Sequence, residues 1–243
     1  MMLVSAILSF AFSKTVLDYE AYAVIEKKFV LKQETAKLQT WYKSDAYNID
    51  SSLETVPPPA IINRWGITVL ESKRIDCGSS VKGHKYVIVL PGINGLETSL
   101  NADTGVVTEG KYDTVSVVDG CDIQKKLILQ SKKNAANLAL KLENYFKGMA
   151  LQEQYAATKN FFFTTTCGGW GSIPCINDGR SNADALSAQL GISELDYIDA
   201  YGHIMHFDNY SSNISALTPP FSSRVGFSVP WGPNEWIIAM GKN

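Results

Sequence analysis

From Met1 to Val56 the chain contains neither glycine nor proline, and from Met1 to Ser13 it carries no charge. Those two facts constrain the fold more than any others. Nothing in the first 56 residues breaks a helix. From Lys14 onward, apolar residues recur near the 3.6-residue period: Leu17, Ala21, Val24, Ile25, Phe29, Leu38 and Trp41. Glu20, Glu26, Lys27, Lys28, Lys32 and Glu34 fall between them. The spacing predicts one helix from Met1 to about Ala46, roughly 70 Å long at about 1.5 Å per residue. Such a helix exceeds what the core of a domain this size needs. One end is lipid-like and the other water-compatible, which suits a helix that inserts in a membrane and later packs beside copies of itself.

The charge-free start admits two readings. As a secretory signal, Leu3–Ala11 is the apolar region, with small residues for cleavage near Ala11 and Ser13, but no basic segment precedes it. As a membrane span, Met1–Ser13 covers only about 20 Å of a hydrocarbon core roughly 30 Å thick. The favoured expectation is a span continued by residues before Met1.

The chain has 243 residues and a formal net charge of −2, against a dedicated nucleic-acid binder. Its four cysteines, Cys77, Cys121, Cys167 and Cys175, include no C-x-x-C pair and fit two disulfides in an oxidising compartment. Of three connectivities, sequential pairing is favoured: Cys77–Cys121 brackets one β-rich stretch and Cys167–Cys175 closes a short loop. In the chain-entropy account these closures contribute about 4 and 2.5 kcal/mol.

Asp45, Asn48, Asp50, Ser51 and Ser52 compete for backbone hydrogen bonds and end the first helix, and Pro57-Pro58-Pro59 makes an extended break. Residues 61–120 read as β. Ile67–Leu70, Tyr86–Leu90, Val106–Val107 and Thr114–Val118 are rich in β-branched residues and separated by turn signals. Residues 122–158 return to helical texture, with Ile123, Leu127, Leu138, Leu142, Tyr145, Phe146 and Met149 at threes and fours. Beyond lie candidate strands at Phe161–Thr164, Ile204–Phe207, Val225–Val229 and Trp236–Ala239, with a short helix over Asn182–Gln189 ending at Gly191. Helix followed by strands thus occurs twice, at 1–120 and 122–243.

Few residues suggest chemistry. Asp103-Thr104-Gly105 matches an aspartic-protease triplet but sits among turn residues and reads as a turn. His203 and His206, three apart on a strand, fall on opposite faces and do not chelate one ion. A Cys167 or Cys175 nucleophile with His203 as base requires a free thiol. Asn177, Asp178, Asn182 and Asp184 offer calcium-type oxygens without EF-hand spacing. Lys125, Lys126, Lys132 and Lys133 read as a solvated helix face. No cofactor, metal or enzymatic activity is expected.

One ordered series stands out: Gly169-Trp170-Gly171-Ser172-Ile173-Pro174, Leu190-Gly191-Ile192, Asp199-Ala200-Tyr201-Gly202-His203, then Pro219-Pro220-Phe221. It resembles the C-terminal domain of type IV pilin-like proteins, the minor pilins and type II secretion pseudopilins. The carrying residues are Trp170, Gly171, Pro174, Gly191, Asp199, Tyr201 and Gly202. Met1–Ser13 resembles the stretch after such proteins' processing site. The G-F-T-L-x-E segment itself does not occur here, and His203 stands where Asn is common.

The resemblance implies an α+β fold: a long N-terminal helix packed on antiparallel sheet, a second long helix and an added β-rich subdomain. The expected organisation is a membrane and assembly helix over 1–47, the β-rich subdomain over 61–121, and the second helix with a pilin-like β domain over 122–243. It further implies a minor filament subunit in the bacterial inner membrane, anchored by Leu3, Val4, Ile7, Leu8, Phe10 and Phe12. Its globular part would be periplasmic or extracellular. The expected partners are other pilin or pseudopilin subunits and the membrane. Gly171 and Gly202 would permit tight turns, Trp170 and Tyr201 would cover the sheet against the helix, and Asp199 would bond turn amides. The alternative is a secreted, disulfide-containing binding protein or adhesin.

Overall fold

A computed structural model describes residues 2–61, 65–152, 181–182, 190–208 and 221–241. It is a mixed α+β chain of two compact units, Met1–Asp122 and Ile123–Asn243. Each contains a long helix and antiparallel sheet.

The first unit opens with α1, Met2–Ser44, an unbroken helix of 43 residues. The absence of any breaker before Val56 makes this length possible. A short helix α2, Ala46–Ser51, follows at once. The strands are β1 (Thr68–Glu71), β2 (Ile75–Asp76), β3 (Lys82–Gly83), β4 (Lys85–Leu90), β5 (Ser99–Leu100), β6 (Val107–Thr108) and β7 (Thr114–Asp119). The principal sheet has the order β1-β4-β7, antiparallel throughout, with Val69 opposite Ile88 and Val87 opposite Val117. Tyr86, Val87, Ile88, Val89 and Leu90 of the central strand are all buried. A strand covered on both faces needs a continuous apolar run rather than alternation, and this one has it.

α1 packs on β4 and β7. The Pro57–Pro59 run lies within this same unit. Asp103-Thr104-Gly105 is the turn between β5 and β6. The Asn101 side chain accepts from the amides of Asp103 and Thr104 at 3.1 and 3.0 Å, and Gly105 takes φ +67. Cys77 and Cys121 are joined, their Cα atoms 5.5 Å apart, tying the loop after β2 to the end of β7.

The second unit is built on α3, Gly120–Gln152, whose first residues still belong to the first unit. Its sheet has the order β11-β10-β9-β8, with β8 (Ser181–Asn182), β9 (His206–Asp208), β10 (Phe221–Val229) and β11 (Gly232–Gly241). A helical turn α4, Glu194–Tyr197, precedes β9 and is closed by a Ser193–Asp196 capping box. Gly226 faces Trp236 across the β10–β11 hairpin. A Cβ at residue 226 would lie 2.7 Å from the indole, so only glycine lets that ring lie flat. The Arg224 guanidinium sits 4.3 Å from the centre of the same ring.

Two expectations are corrected. Of the helix expected over Asn182–Gln189, Asn182 itself pairs with His206 in β8, while residues 183–189 lie outside the described residues. Its local sequence suits a helix, but the strand partner lies 24 residues further on, beyond the reach of local patterning. The strand expected at Ile204–Phe207 begins only at His206, because Ile204 makes an isolated bridge to Ile198 instead. The expected strand at Phe161–Thr164 lies outside the described residues.

Candidate functional site

α1 carries two apolar stripes. The one seated on the sheet is Leu31, Leu38 and Tyr42, all buried, together with buried Glu34. These positions are three and four residues apart. Glu34 is neutralised within the helix by Lys37 at 2.7 Å. Of the apolar residues that set the helical period, Leu38 is buried on this stripe. Val24 is half exposed, and Ile25 and Phe29 are 66% and 58% exposed. Between residues 23 and 30 no side chain is fully buried. Among the described side chains of α1, the unit seats the helix from Leu31 onward and presents Ile25 and Phe29 outward. Leu3, Val4, Ile7, Leu8, Phe10 and Phe12 lie on the same continuous helix. Among the described residues, no helix is long and apolar enough to cross a membrane.

Beside the seated segment runs a groove of about 420 Å³, between Lys28, Leu31 and Thr35 of α1 and Thr114, Val115 and Ser116 of β7. Its lining includes two lysines, Lys28 and Lys32, beside the apolar Leu31, Ala36 and Val115.

The end of α1 is fixed by a polar cluster that the sequence does not announce. Asp50, His84 and Tyr42 are fully buried. The Tyr42 hydroxyl donates to Asp50 Oδ2. The His84 amide donates to Asp50 Oδ1 at 2.9 Å, and His84 Nδ1 lies 2.7 Å from the same oxygen. His84 Nε2 lies 2.9 Å from the Glu54 carbonyl. Both ring nitrogens thus lie against oxygen atoms. Arg74 donates to the carbonyls of Asp50 and Ser51 at 2.9 and 3.2 Å, closing the end of α2. Gly120 leaves room for this cluster: a Cβ there would fall on the Tyr42 hydroxyl and the His84 carbonyl. Burial, with the Asp50 charge beside it, pushes the Tyr42 phenol well above its ordinary range. The Asp–His pair is sealed from solvent, so its chemistry is to hold α1, α2 and β4 together, not to exchange protons with a ligand.

In the second unit the described pilin-like positions are Gly191, ahead of α4, and Asp199, Tyr201 and Gly202, which share one turn after it. Gly191 and Gly202 take φ +61 and +82, the left-handed region that favours glycine. Asp199 Oδ1 accepts from the amides of Tyr201 and His203 at 2.8 and 2.9 Å, the role expected of it. Its Oδ2 is buried with no hydrogen-bond partner, and burial raises the carboxyl above its usual range. The Tyr201 hydroxyl bonds Gln124 of α3 at 2.5 Å. Ser131 accepts from the Ala200 amide at 3.0 Å, and Asn134 donates to the Ile198 carbonyl at 3.1 Å. The turn is thereby fastened along α3. Trp170, Gly171, Pro174, Cys167 and Cys175 lie outside the described residues, as do Asn177, Asp178 and Asp184. Among the described residues no group of three acidic, histidine or cysteine side chains converges on a metal site. His203 is exposed, while His206 is half-buried on β9 with Nε2 3.4 Å from the Ser228 hydroxyl.

Sequence reasoning missed the Tyr42–Asp50–His84 cluster. Its only trace is a histidine just before the most apolar strand of the chain. In comparisons with known proteins, no family model, no curated protein and no solved structure matches this chain.

Proposed function

We propose that this chain is a minor structural subunit of a type IV pilus-like or type II secretion filament. It is held in the bacterial inner membrane by its N-terminal helix before assembly, with the globular units outside the membrane. The observation that carries the reading is the division of labour along α1. A helix of 43 residues spans about 65 Å, and among its described side chains, from residue 23 on, the first fully buried one is Leu31. Ahead of that point lie the outward Ile25–Phe29 stripe and the charge-free start. A helix anchored at one end and apolar at the other supports association with neighbouring helices. A filament contact of this kind is heterologous and does not close on itself. The Tyr42–Asp50–His84 cluster fits the same purpose, since it fixes the angle at which α1 leaves the sheet. The Cys77–Cys121 disulfide suits an oxidising envelope compartment.

The experiment is Val24→Pro. Proline in a helix interior costs about 3 kcal/mol locally, and residue 24 lies seven positions before the first fully seated side chain. The expected result is a normally folded first unit that no longer enters filaments. Unchanged incorporation would overturn the reading.

A further inference from the structure

α3 has an outward face that its core packing does not use. Its buried side is Ile128, Ser131, Ala135, Leu138, Ala139, Leu142 and Phe146. On the other side Leu129, Leu140 and Leu151 are 70%, 53% and 89% exposed. Their spacing is eleven residues at each step. Eleven residues make about three turns, with a drift of only about 20°, so the leucines form one stripe along roughly 33 Å of helix. Exposed lysines lie on the same stripe: Lys126 and Lys133 flank Leu129, and Lys147 stands four residues before Leu151. Two acids share the stripe with these three lysines: Asp122 at the very start of the helix, and Glu143, which is half-buried and has interactions of its own. In a chain of net charge −2, this face is a local excess of positive charge interleaved with leucine.

We infer that this face of α3 docks on an anionic lipid surface. Two features select that occupant. The lysines call for negative charge, and juxtamembrane lysines are drawn to anionic leaflets. The leucines stand about 16 Å apart, far too sparse for a partner helix, whose seam needs an apolar knob every three or four residues. A fluid interface accepts isolated leucines and lysines at any spacing along a helix lying in its plane. The proposal goes beyond filament assembly, because a chain that never polymerises still docks in this way.

The test places an environment-sensitive fluorophore on Leu140→Cys in the full chain, labelled without reductant so that Cys77–Cys121 stays closed. The protein is mixed with vesicles of phosphatidylcholine alone or with one third phosphatidylglycerol, and co-sedimentation is recorded in parallel to report tethering by α1. The expected result is a blue shift on the anionic vesicles only, abolished by high salt. It should also be lost in the triple variant Lys126→Glu, Lys133→Glu, Lys147→Glu, since three lysines near such a surface are worth about a hundredfold in partitioning. An equal shift on neutral vesicles, or no shift in chain that co-sediments, would overturn the proposal. So would a shift that grows with protein concentration in the absence of vesicles, which would assign the stripe to self-association. None of these outcomes bears on whether Val24→Pro blocks filament entry, so the two readings fail separately.

Discussion

Replacing Asp50 by alanine tests how α1 is held. The carboxylate is fully buried and accepts from the Tyr42 hydroxyl, the His84 amide and His84 Nδ1. Removing it leaves those donors in a site without water. An orphaned buried donor costs about 1–3 kcal/mol, and the carboxylate serves more than one donor at once. Partial relaxation puts the loss near 4 kcal/mol, a large share of the roughly 5–15 kcal/mol that holds a domain together. For a unit of 122 residues, an unfolding entropy of about 2.1 cal/mol/K per residue converts this to a fall in Tm of about 15 °C. Near-ultraviolet circular dichroism is the natural probe. Tyr42 and Trp41 pack edge-on against Tyr86 at 5.9 and 5.5 Å, and this aromatic group sits over the cluster. His84→Ala should cost a similar amount, and the double variant much less than the sum, because each single change strands the other partner. A fall below about 4 °C, or additive losses, would refute the argument.

Three further outcomes follow from the same structure. Asp199→Ala should cost about 2 kcal/mol by freeing the Tyr201 and His203 amides. Asp199→Asn should cost less than about 1 kcal/mol, since its amide oxygen can accept from the same two amides; urea unfolding compares the two. Asp113 binds the amides of Gly92, Glu97 and Thr98 and the Thr98 hydroxyl, which hold its carboxyl down to about 2. A depressed carboxyl stabilises above its unfolded value and loses that contribution as pH falls. Protection of those amides in hydrogen exchange should therefore fade between pH 4 and pH 2 (about the two end points), and Asp113→Asn should remove the pH dependence. Tyr42, raised by burial, works with the opposite sign: it favours folding below about pH 10 and loses that as pH climbs further, so alkaline unfolding should be blunted in Tyr42→Phe.

Both long helices were legible because their signal is local. Met2–Ser44 lacks breakers, and the buried positions of α3 recur at threes and fours. β4 was legible for the same reason, as a run of β-branched residues, and so was the Cys77–Cys121 bracket. The seated face of α1 was not, because the helix is apolar on two sides. Ile25 and Phe29 compete with Leu31, Leu38 and Tyr42, and only the sheet decides between them. The buried polar cluster was illegible because its members lie far apart: 34 residues separate Asp50 from His84. The first residue of the helix expected at Asn182 was likewise taken by pairing with β9. Asp199 and the glycines at 191 and 202 behaved as their types require, since turn chemistry depends on immediate neighbours.

The central claim is that the outward part of α1 meets other filament subunits, and photo-crosslinking at Phe29 tests it most directly. Phe29 is exposed, so a photoreactive phenylalanine analogue there leaves the fold intact. Illumination of intact cells, followed by shearing of the surface and separate recovery of the envelope, should give an adduct between this chain and a filament subunit. A chain recovered as a soluble monomer, with no adduct in either fraction, would contradict the account and favour a secreted binding protein.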